Sequence, residues 1–384
     1  MKIHGNFLGG NIQVLQVTDS VIELDNELRD TPRDWFYWAF CVEGAAGKTL
    51  TFRFNRNLVG YYGPAVSRDL ENWHWLERAE GNTAFTYHFG ADEDRVYFAH
   101  DMLYHPQRFL DFAAAHGLTV ETLCISPKGR PVPMVHFGSG SRTIILTARH
   151  HACEATGNYV LEGVLERLLE KPVEDSRTLC IPFVDLDGVV DGDQGKNRIP
   201  HDHYEDYIED AQIFCVPFVD YDGVVDGDQG KDRAPYDHNR DYRDDTASIY
   251  PEVAAIRRLQ KEYGAYICVD FHSPWHVGGQ HDHVFIVQNS ADMLPQFTRF
   301  GKLLEESLTP DALQYAMEND YPPETGWNQS STPCFANYMR RHGADLAFTL
   351  ENTYFGKPDN RFTQQRGVQL GRCFADALKK YAGQ

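Results

Sequence analysis

The sequence predicts an α/β protein with two domains, and the pattern of its apolar residues supports this. In residues 1–115, apolar residues fall in short alternating runs separated by turn residues, which is typical of a small antiparallel β domain. In residues 116–384, continuous apolar strands alternate with amphipathic helices, which predicts a mixed, largely parallel sheet flanked by helices. A chain of 384 residues also exceeds what one hydrophobic core usually serves.

The individual elements are predicted from apolar period and from turn residues. In the first domain, alternating runs predict strands at 12–17, 35–42, 48–54, 83–89 and 95–99. A run with helical spacing and a glycine stop at Gly117 predicts a helix within 105–117. In the second domain, we expect strands at 142–148, 213–220, 265–271 and 345–351, and helices at 158–170, 251–264, 292–307 and 361–383.

Composition excludes several classes of partner. The formal net charge of −20 repels phosphate groups, and no run of Lys and Arg offsets it, so we expect neither nucleic acid nor membrane as a partner. The N-terminal segment lacks the apolar stretch of a signal peptide, and the chain has no apolar run long enough to span a bilayer. The eight cysteines are scattered without a CxxC pair. These features indicate a cytoplasmic protein with reduced thiols.

One segment of the second domain is duplicated in tandem. Residues 174–207 and 209–242 align at a constant offset of 35 residues, with about two-thirds of the positions identical. Two copies are too few for a solenoid. We expect a tolerated insertion of this size at the surface or at a sheet edge.

Candidate metal ligands follow the predicted strands of the second domain. His151 and Glu154 form an H-x-x-E pair after the strand at 142–148, and His272 follows the strand at 265–271. Glu351 ends a further apolar strand, and Asp270 is a candidate hydrogen-bond partner for His272. Each residue alone is a weak signal, because an H-x-x-E pair arises by chance in a chain with 17 histidines. Carboxyl ends of parallel strands share one crevice, however, and two histidines with one carboxylate are a ligand set that suits catalytic zinc.

These residues resemble those of the M14 family of zinc metallocarboxypeptidases. The resemblance includes the H-x-x-E pair, the later zinc histidine His272 and a glutamate in a late "TLE" strand, Glu351. The stretches "DWFYWAFCVEGA" and "GPAVSRDLENWHW" are similar to the N-terminal β-sandwich of the cytosolic-carboxypeptidase branch. The resemblance implies a β-sandwich at 1–115, a zinc-carboxypeptidase-like α/β catalytic domain at 116–384, and one Zn²⁺ per chain held by His151, Glu154 and His272.

The resemblance also implies roles for residues of the second repeat. The family's "NPDG...NR" segment is matched by "VDYDGVVDGDQGKDRAPYDHNRDY", so Asn239 and Arg240 would bind the terminal carboxylate of a peptide. Lys231 and Arg233 are both candidates to stabilise the oxyanion, with Arg233 preferred and Lys231 then a substrate-binding residue. The first copy has Tyr204 and Glu205 where the second has Asn239 and Arg240, so only the second copy should be functional.

The implied activity is hydrolysis of a C-terminal peptide bond by a metal-activated water, with Glu351 as general base and acid. The mobile tyrosine of the family has two candidates, Tyr338 and Tyr354. An alternative within the same zinc architecture is a deacylase of N-acyl amino acids, of the succinylglutamate desuccinylase or aspartoacylase kind. A pseudoenzyme that binds peptide tails is a third reading. The "DLDGVVDGDQG" and "DYDGVVDGDQG" stretches do not match a calcium loop, because Gly and Val fall at positions 4 and 5.

Overall fold

The computed structural model describes residues 1–29, 35–77, 81–192, 194–196, 228–230, 236–276 and 278–383. It has two β-sheets in the N-terminal part and a seven-stranded sheet with surrounding helices in the larger part. This mixed α/β architecture, with its largely antiparallel N-terminal sheets, confirms the predicted fold class. Among the helices in these ranges, none is both long and apolar enough to cross a membrane.

The two N-terminal sheets have five and four strands within the described residues. The five-stranded sheet has the order β1-β4-β9-β6-β7 and is antiparallel throughout. The four-stranded sheet has the order β2-β3-β5-β8, and its β3 and β5 are parallel. The strands are β1 (Lys2–His4), β2 (Gln13–Val17), β3 (Val21–Asp25), β4 (Ala39–Glu43), β5 (Thr49–Phe54), β6 (Ala65–Ser67), β7 (His74–Trp75), β8 (Ala84–His88) and β9 (Arg95–Ala99).

Phenylalanine side chains join these two sheets face to face. Phe40 on β4 and Phe98 on β9 lie 5.2 and 5.3 Å from the ring of Phe52 on β5. Phe85 on β8 lies 5.5 Å from Phe98. All four side chains are 0% exposed. The alternation of apolar and polar residues along these strands therefore builds a sandwich whose interior combines aromatic rings with aliphatic side chains.

The main sheet has the order β10-β11-β13-β12-β16-β18-β17. The four central strands, β13, β12, β16 and β18, are parallel to one another. The outer strands β10, β11 and β17 pair antiparallel with their neighbours. The strands are β10 (Val120–Ile125), β11 (Pro131–Gly138), β12 (Arg142–Ala148), β13 (Ser176–Ile181), β16 (Ala265–His272), β17 (Phe285–Val287) and β18 (Leu346–Glu351). Two-stranded pairs are formed by β14 (Gln194–Lys196) with β15 (Asp228–Gly230) and by β19 (Gly356–Lys357) with β20 (Asn360–Arg361).

The described ranges include seven α-helices, which are α1 (Pro106–Ala115), α2 (Thr156–Glu170), α3 (Leu186–Asp191), α4 (Pro251–Tyr263), α5 (Leu294–Glu305), α6 (Phe335–Arg341) and α7 (Gln364–Ala382). Helices α2 and α7 approach each other closely through glycines. A Cβ atom at Gly163 of α2 would collide with the carbonyl oxygen of Val368, and one at Gly371 of α7 with that of Val160. Larger residues at these two positions would push the helices apart.

Strand alternation divides the residues of the central strands between two faces. Phe271 on β16 and Phe348 on β18 face the helix side, where their rings lie 5.5 and 6.1 Å from Phe374 of α7. His272 lies one residue from Phe271 and Glu351 lies three residues from Phe348, so by strand alternation both face the opposite side. The polar residues at the ends of these strands thus lie away from the α7 face.

The duplicated segment contributes an interior strand. Strand β13 belongs to the first copy and lies between β11 and β12, so this part of the duplication is neither at the surface nor at a sheet edge, contrary to our expectation for an insertion. The equivalent strand of the second copy, predicted at 213–220, lies outside the described residues, as do Tyr204 and Glu205. Strand β14 of the first copy pairs in parallel with β15 of the second. The domain boundary at residue 115 stays a prediction.

Candidate active site

Three predicted ligands converge at the carboxyl end of the central strands. His151 Nδ1 lies 2.8 Å from Glu154 Oε1, and His272 Nδ1 lies 2.8 Å from Glu154 Oε2. One ligand atom from each residue falls within 4.8 Å of the others, and all three residues are at most 3% exposed. Two imidazole nitrogens and one carboxylate are the donor set of a catalytic zinc site, so these residues fit a zinc ion.

The turn that presents His151 and Glu154 is fixed by Arg149. This residue directly follows β12 and lies in the left-handed region, with φ of 63°, which is unfavourable for a residue with a Cβ atom. Its buried guanidinium donates to the carbonyl oxygen of Ala152, to Asn158 Oδ1 at 2.5 Å and to the carbonyl oxygen of Tyr104 at 2.9 Å. These hydrogen bonds satisfy buried acceptors and offset the backbone strain.

Asp270 connects His272 to a second buried histidine. Asp270 Oδ2 lies 2.6 Å from His272 Nε2, and Oδ1 lies 2.7 Å from His150 Nδ1. Burial opposes ionisation of Asp270, but the charges of the two histidines outweigh it and lower its pKa. Burial likewise opposes protonation of His272, but the charges of Asp270 and Glu154 raise its pKa to about 10. Burial lowers the pKa of His150. The expectation that Asp270 contacts His272 is met.

Glu351 lies beside His272 in the sheet. The two residues are register partners on the parallel strands β18 and β16, so their side chains point to the same face. Glu351 is 7% exposed. His272 therefore has two glutamates beside it. Glu154 contacts its Nδ1 atom within the ligand cluster, and Glu351 lies on the neighbouring strand.

Comparison with known proteins bears on both parts of the chain. Residues 3–100 match the family described as the cytosolic carboxypeptidase N-terminal domain. An uncharacterized protein of Zymomonas mobilis is 25% identical, over 98% of this chain and 95% of its own length. Cytosolic carboxypeptidase 2 of Xenopus tropicalis is 25% identical over 40% of this chain, which is 18% of that protein.

Solved structures match the fold over nearly the whole chain. A metallo-carboxypeptidase from Pseudomonas aeruginosa, solved with (2-guanidinoethylmercapto)succinic acid, has a TM-score of 0.75 and 20% identity, and the match covers 99% of this chain and 98% of that one. A metallo-carboxypeptidase from Burkholderia cenocepacia has a TM-score of 0.75 and 18% identity, covering 100% and 98%. Residues 3–100 therefore match a domain of cytosolic carboxypeptidases, and the whole chain has the fold of metallo-carboxypeptidases of known structure.

The two predicted carboxylate-binding residues lie beside the ligand cluster. They sit in a 3₁₀ helix at His238–Arg240. Asn239 Nδ2 lies 3.4 Å from His272 Nε2, and Asn239 Oδ1 accepts a hydrogen bond of 3.0 Å from the backbone N–H of Phe335. Arg240 is half-buried and donates to the carbonyl oxygen of Asn239 at 3.4 Å. Within the described part of the chain, no carboxylate forms an ion pair with Arg240.

The remaining predicted site residues lie outside the described part of the chain or are buried in the core. Lys231 and Arg233 lie outside the described residues, so their proposed oxyanion role stays a prediction. Tyr338 and Tyr354, the two candidates for the mobile tyrosine, are 5% and 1% exposed. Tyr354 packs its hydroxyl 3.6 Å from Cys153 Sγ. Both rings are held in the core, and the tyrosine stays unassigned.

Three polar residues of the site were not predicted from the sequence, namely Arg149, His150 and Tyr242. Tyr242 OH lies 2.9 Å from His150 Nε2, and all three side chains are at most 3% exposed. The available signal was position: Arg149 and His150 directly precede His151, and Tyr242 follows Arg240 by two residues. A buried arginine or histidine next to a metal ligand needs a hydrogen-bonding partner, but its identity depends on tertiary contacts.

Proposed function

We propose that this chain is a zinc-dependent carboxypeptidase that removes the C-terminal residue of peptides or protein tails in the cytoplasm. The observation that carries the proposal is the convergence of His151, Glu154 and His272 on one point, with Glu351 beside His272 on the neighbouring strand. The match of residues 3–100 to the N-terminal domain of cytosolic carboxypeptidases favours a peptidase over a deacylase of small N-acyl amino acids.

In the proposed reaction, His151, Glu154 and His272 hold one Zn²⁺ per chain. When bound, zinc supplies a Lewis acid that polarises the scissile carbonyl and makes water more acidic. Glu351 accepts the proton of the attacking water and later delivers it to the leaving amine. Its burial limits competing solvent around that proton.

The substrate's terminal carboxylate is assigned to Arg240 and Asn239. Arg240 is partly exposed, next to the ligand cluster, and without a carboxylate partner in the described ranges of a chain with 56 acidic residues. A guanidinium in this position suits bidentate binding of a carboxylate. Lys231 and Arg233 remain candidates for the oxyanion and for further substrate contacts.

The test combines metal analysis with hydrolysis of two substrate classes. The purified protein should contain one zinc per chain and release C-terminal residues from a peptide library, and a chelator should abolish that release. N-acyl amino acids should not be hydrolysed. Preference for N-acyl amino acids would instead assign the deacylase activity, and hydrolysis that persists in chelator would remove the zinc mechanism.

A second group with metal-ligand chemistry must be controlled for. His4, Cys41 and Glu43 also have ligand atoms within 4.8 Å of one another, on strands β1 and β4 of the N-terminal sheets. Glu43 is already paired there with Arg95, at 2.8 Å. Zinc content should fall in His151→Ala and stay at one per chain in Cys41→Ser. The reverse result would move the metal away from the proposed site.

A further inference from the structure

A continuous line of polar side chains leads from the substrate-binding segment to the metal ligand His272. Tyr242 OH lies 2.9 Å from His150 Nε2, and His150 Nδ1 lies 2.7 Å from Asp270 Oδ1. Asp270 Oδ2 lies 2.6 Å from His272 Nε2. Tyr242, His150 and Asp270 are 0% exposed and His272 is 2% exposed. Water therefore cannot replace any partner in this line, and each hydrogen bond must be made within the protein.

The donor and acceptor roles along the line follow from the chemistry of its members. The Asp270 carboxylate only accepts, so His150 Nδ1–H and His272 Nε2–H must both donate to it. Thr147 Oγ1 also donates to Asp270 Oδ1, at 2.7 Å. With its proton on Nδ1, neutral His150 accepts at Nε2, and the Tyr242 hydroxyl donates there. With its proton on Nε2, His272 keeps the lone pair of Nδ1, the atom that lies 2.8 Å from Glu154.

We propose that Tyr242 and His150 are positioning residues that act through Asp270 to hold His272 in the tautomer and orientation that binds the metal. The proposal rests on the proposed zinc site and extends it to side chains that touch neither metal nor substrate. Tyr242 fixes the tautomer of His150, His150 and Thr147 fix the rotation of the Asp270 carboxylate, and Asp270 fixes the imidazole of His272.

The line also ties the metal site to the turn that binds the substrate. Tyr242 is two residues from Arg240, and Asn239 of the same turn reaches His272 at 3.4 Å. The turn itself is braced by Asp241, whose Oδ2 accepts a hydrogen bond of 3.0 Å from the backbone N–H of Tyr250. One short segment therefore contacts the metal ligand twice, directly through Asn239 and indirectly through Tyr242. A shift of this segment would disturb metal binding and substrate binding together.

A different interpretation of the same residues makes a distinct prediction. His150, Asp270 and His272 have ligand atoms within 4.8 Å of one another, so this group could itself hold a metal ion. In that case the protein would bind a second zinc ion, and His150 would be a ligand. In the positioning role, zinc stoichiometry stays at one and only its affinity depends on His150.

The experiment measures zinc stoichiometry and dissociation constant by competition with a chromophoric chelator, on the full chain. The variants are Tyr242→Phe, His150→Asn, His150→Leu and Asp270→Asn. Asn at position 150 keeps an amide N–H near the place of Nδ1, whereas Leu removes both contacts. The matched control is Tyr159→Phe, which loses an equally buried hydroxyl that donates to the carbonyl oxygen of Leu103 at 2.6 Å, away from the metal.

We expect one zinc per chain in every variant that folds. Zinc affinity should fall by about 10- to 100-fold in Asp270→Asn, by about 10-fold in His150→Leu, and by less in His150→Asn and Tyr242→Phe. The Tyr159→Phe control should bind zinc as the wild type does, although its thermal stability falls. The absorption spectrum of the cobalt-substituted protein should change in Tyr242→Phe and not in Tyr159→Phe, since only the former alters the orientation of a ligand.

The outcomes separate the two proposals. If the wild type binds zinc at His151 and the zinc affinity is the same in Tyr242→Phe and His150→Leu, the positioning role is overturned and the zinc site stands. A second zinc ion, lost in His150→Leu, also overturns it and assigns His150 as a ligand. A wild type without zinc overturns both.

Discussion

The interior of the N-terminal sandwich and the carboxyl end of the main sheet are equally inaccessible to water but are built in opposite ways. Phe40 and Phe98 represent the sandwich interior, where aromatic rings meet only other apolar groups. Asp270 and His272 represent the sheet end, where charged and polar groups are as deeply buried. Burial stabilises the first region directly, through the apolar area removed from water.

Burial of the second region costs free energy, which pairing must offset. The charged groups around His272 are paired within hydrogen-bond distance, through the contacts of 2.6 and 2.8 Å that His272 makes with Asp270 and Glu154. Replacing one partner leaves the other buried and uncompensated. Substitutions in the sandwich should therefore change stability alone, whereas substitutions at the sheet end should change metal binding and chemistry as well as stability. Four predictions test this contrast.

The largest effect is expected for Glu351→Gln. Loss of the proposed general base should lower kcat by about 10³-fold or more, because general acid–base catalysis contributes up to about 10⁴-fold. The near-isosteric amide should leave zinc content and unfolding temperature close to those of the wild type. Steady-state hydrolysis and metal analysis of the same preparation check this. Turnover within 10-fold of the wild type would exclude Glu351 from proton transfer.

An effect of similar size in free energy, but on stability and not on catalysis, is expected for Phe98→Ala. Truncating a fully buried phenylalanine costs about 3–5 kcal/mol of the free energy of unfolding. The kcat per folded molecule, measured well below the unfolding temperature, should not change. Phe98→Leu serves as the matched control and should lose less stability. A fall in kcat without a fall in stability would show that the sandwich acts on the chemistry.

A smaller effect, confined to substrate binding, is expected for Arg240→Ala. A charge-assisted hydrogen bond is worth about 1.5–3 kcal/mol, so KM should rise by about 10- to 100-fold with little change in kcat. Arg240→Lys should retain part of the affinity, since the charge stays but the bidentate geometry is lost. A peptide ending in a carboxamide should be hydrolysed equally poorly by wild type and variant. A normal KM for free carboxylates would remove the assignment.

The smallest effect is a pH dependence of stability in the zinc-free protein. The folded-state pKa of His272 is raised to about 10, so its protonated form adds stability below its ordinary pKa of about 6.5, and this stability is lost as pH rises towards 10. Burial also raises the pKa values of Asp101 and Asp241 to about 7. These carboxyl groups therefore affect stability near pH 7 and not near pH 10. Urea unfolding in chelator between pH 7 and pH 10 should show a decline that is shallower in His272→Gln.

Local patterns predicted most of the secondary structure, and the exceptions have physical reasons. The apolar run at 35–42 was predicted as one strand, but β4 begins at Ala39, and the backbone carbonyl oxygens of Trp35 and Tyr37 accept hydrogen bonds from the Asn26 side chain instead of from a neighbouring strand. Strand β11 was not predicted, because Pro131 and Pro133 are turn signals in sequence. In the sheet these prolines lie opposite Ile125 and Thr122 of β10.

The site residues that lie at strand ends could be predicted from the sequence. Those that meet only through tertiary contacts could not. His151, Glu154, His272 and Glu351 each end a parallel strand or follow one closely, so topology alone brings them to one edge. Tyr242 is distant in sequence from His150, and nothing local indicates that the two side chains meet. Arg149 was missed for a related reason, since its positive φ is visible only in coordinates.

The glycine contacts between α2 and α7 have a consequence for biosynthesis. Helix α2 starts two residues after Glu154, and its partner α7 begins at Gln364, far later in the chain. On the ribosome, α2 emerges long before α7 can cover it, so a nascent chain exposes an apolar helix face next to two of its three proposed metal ligands. Metal uptake should then follow translation, and partly made chains should be natural clients of chaperones.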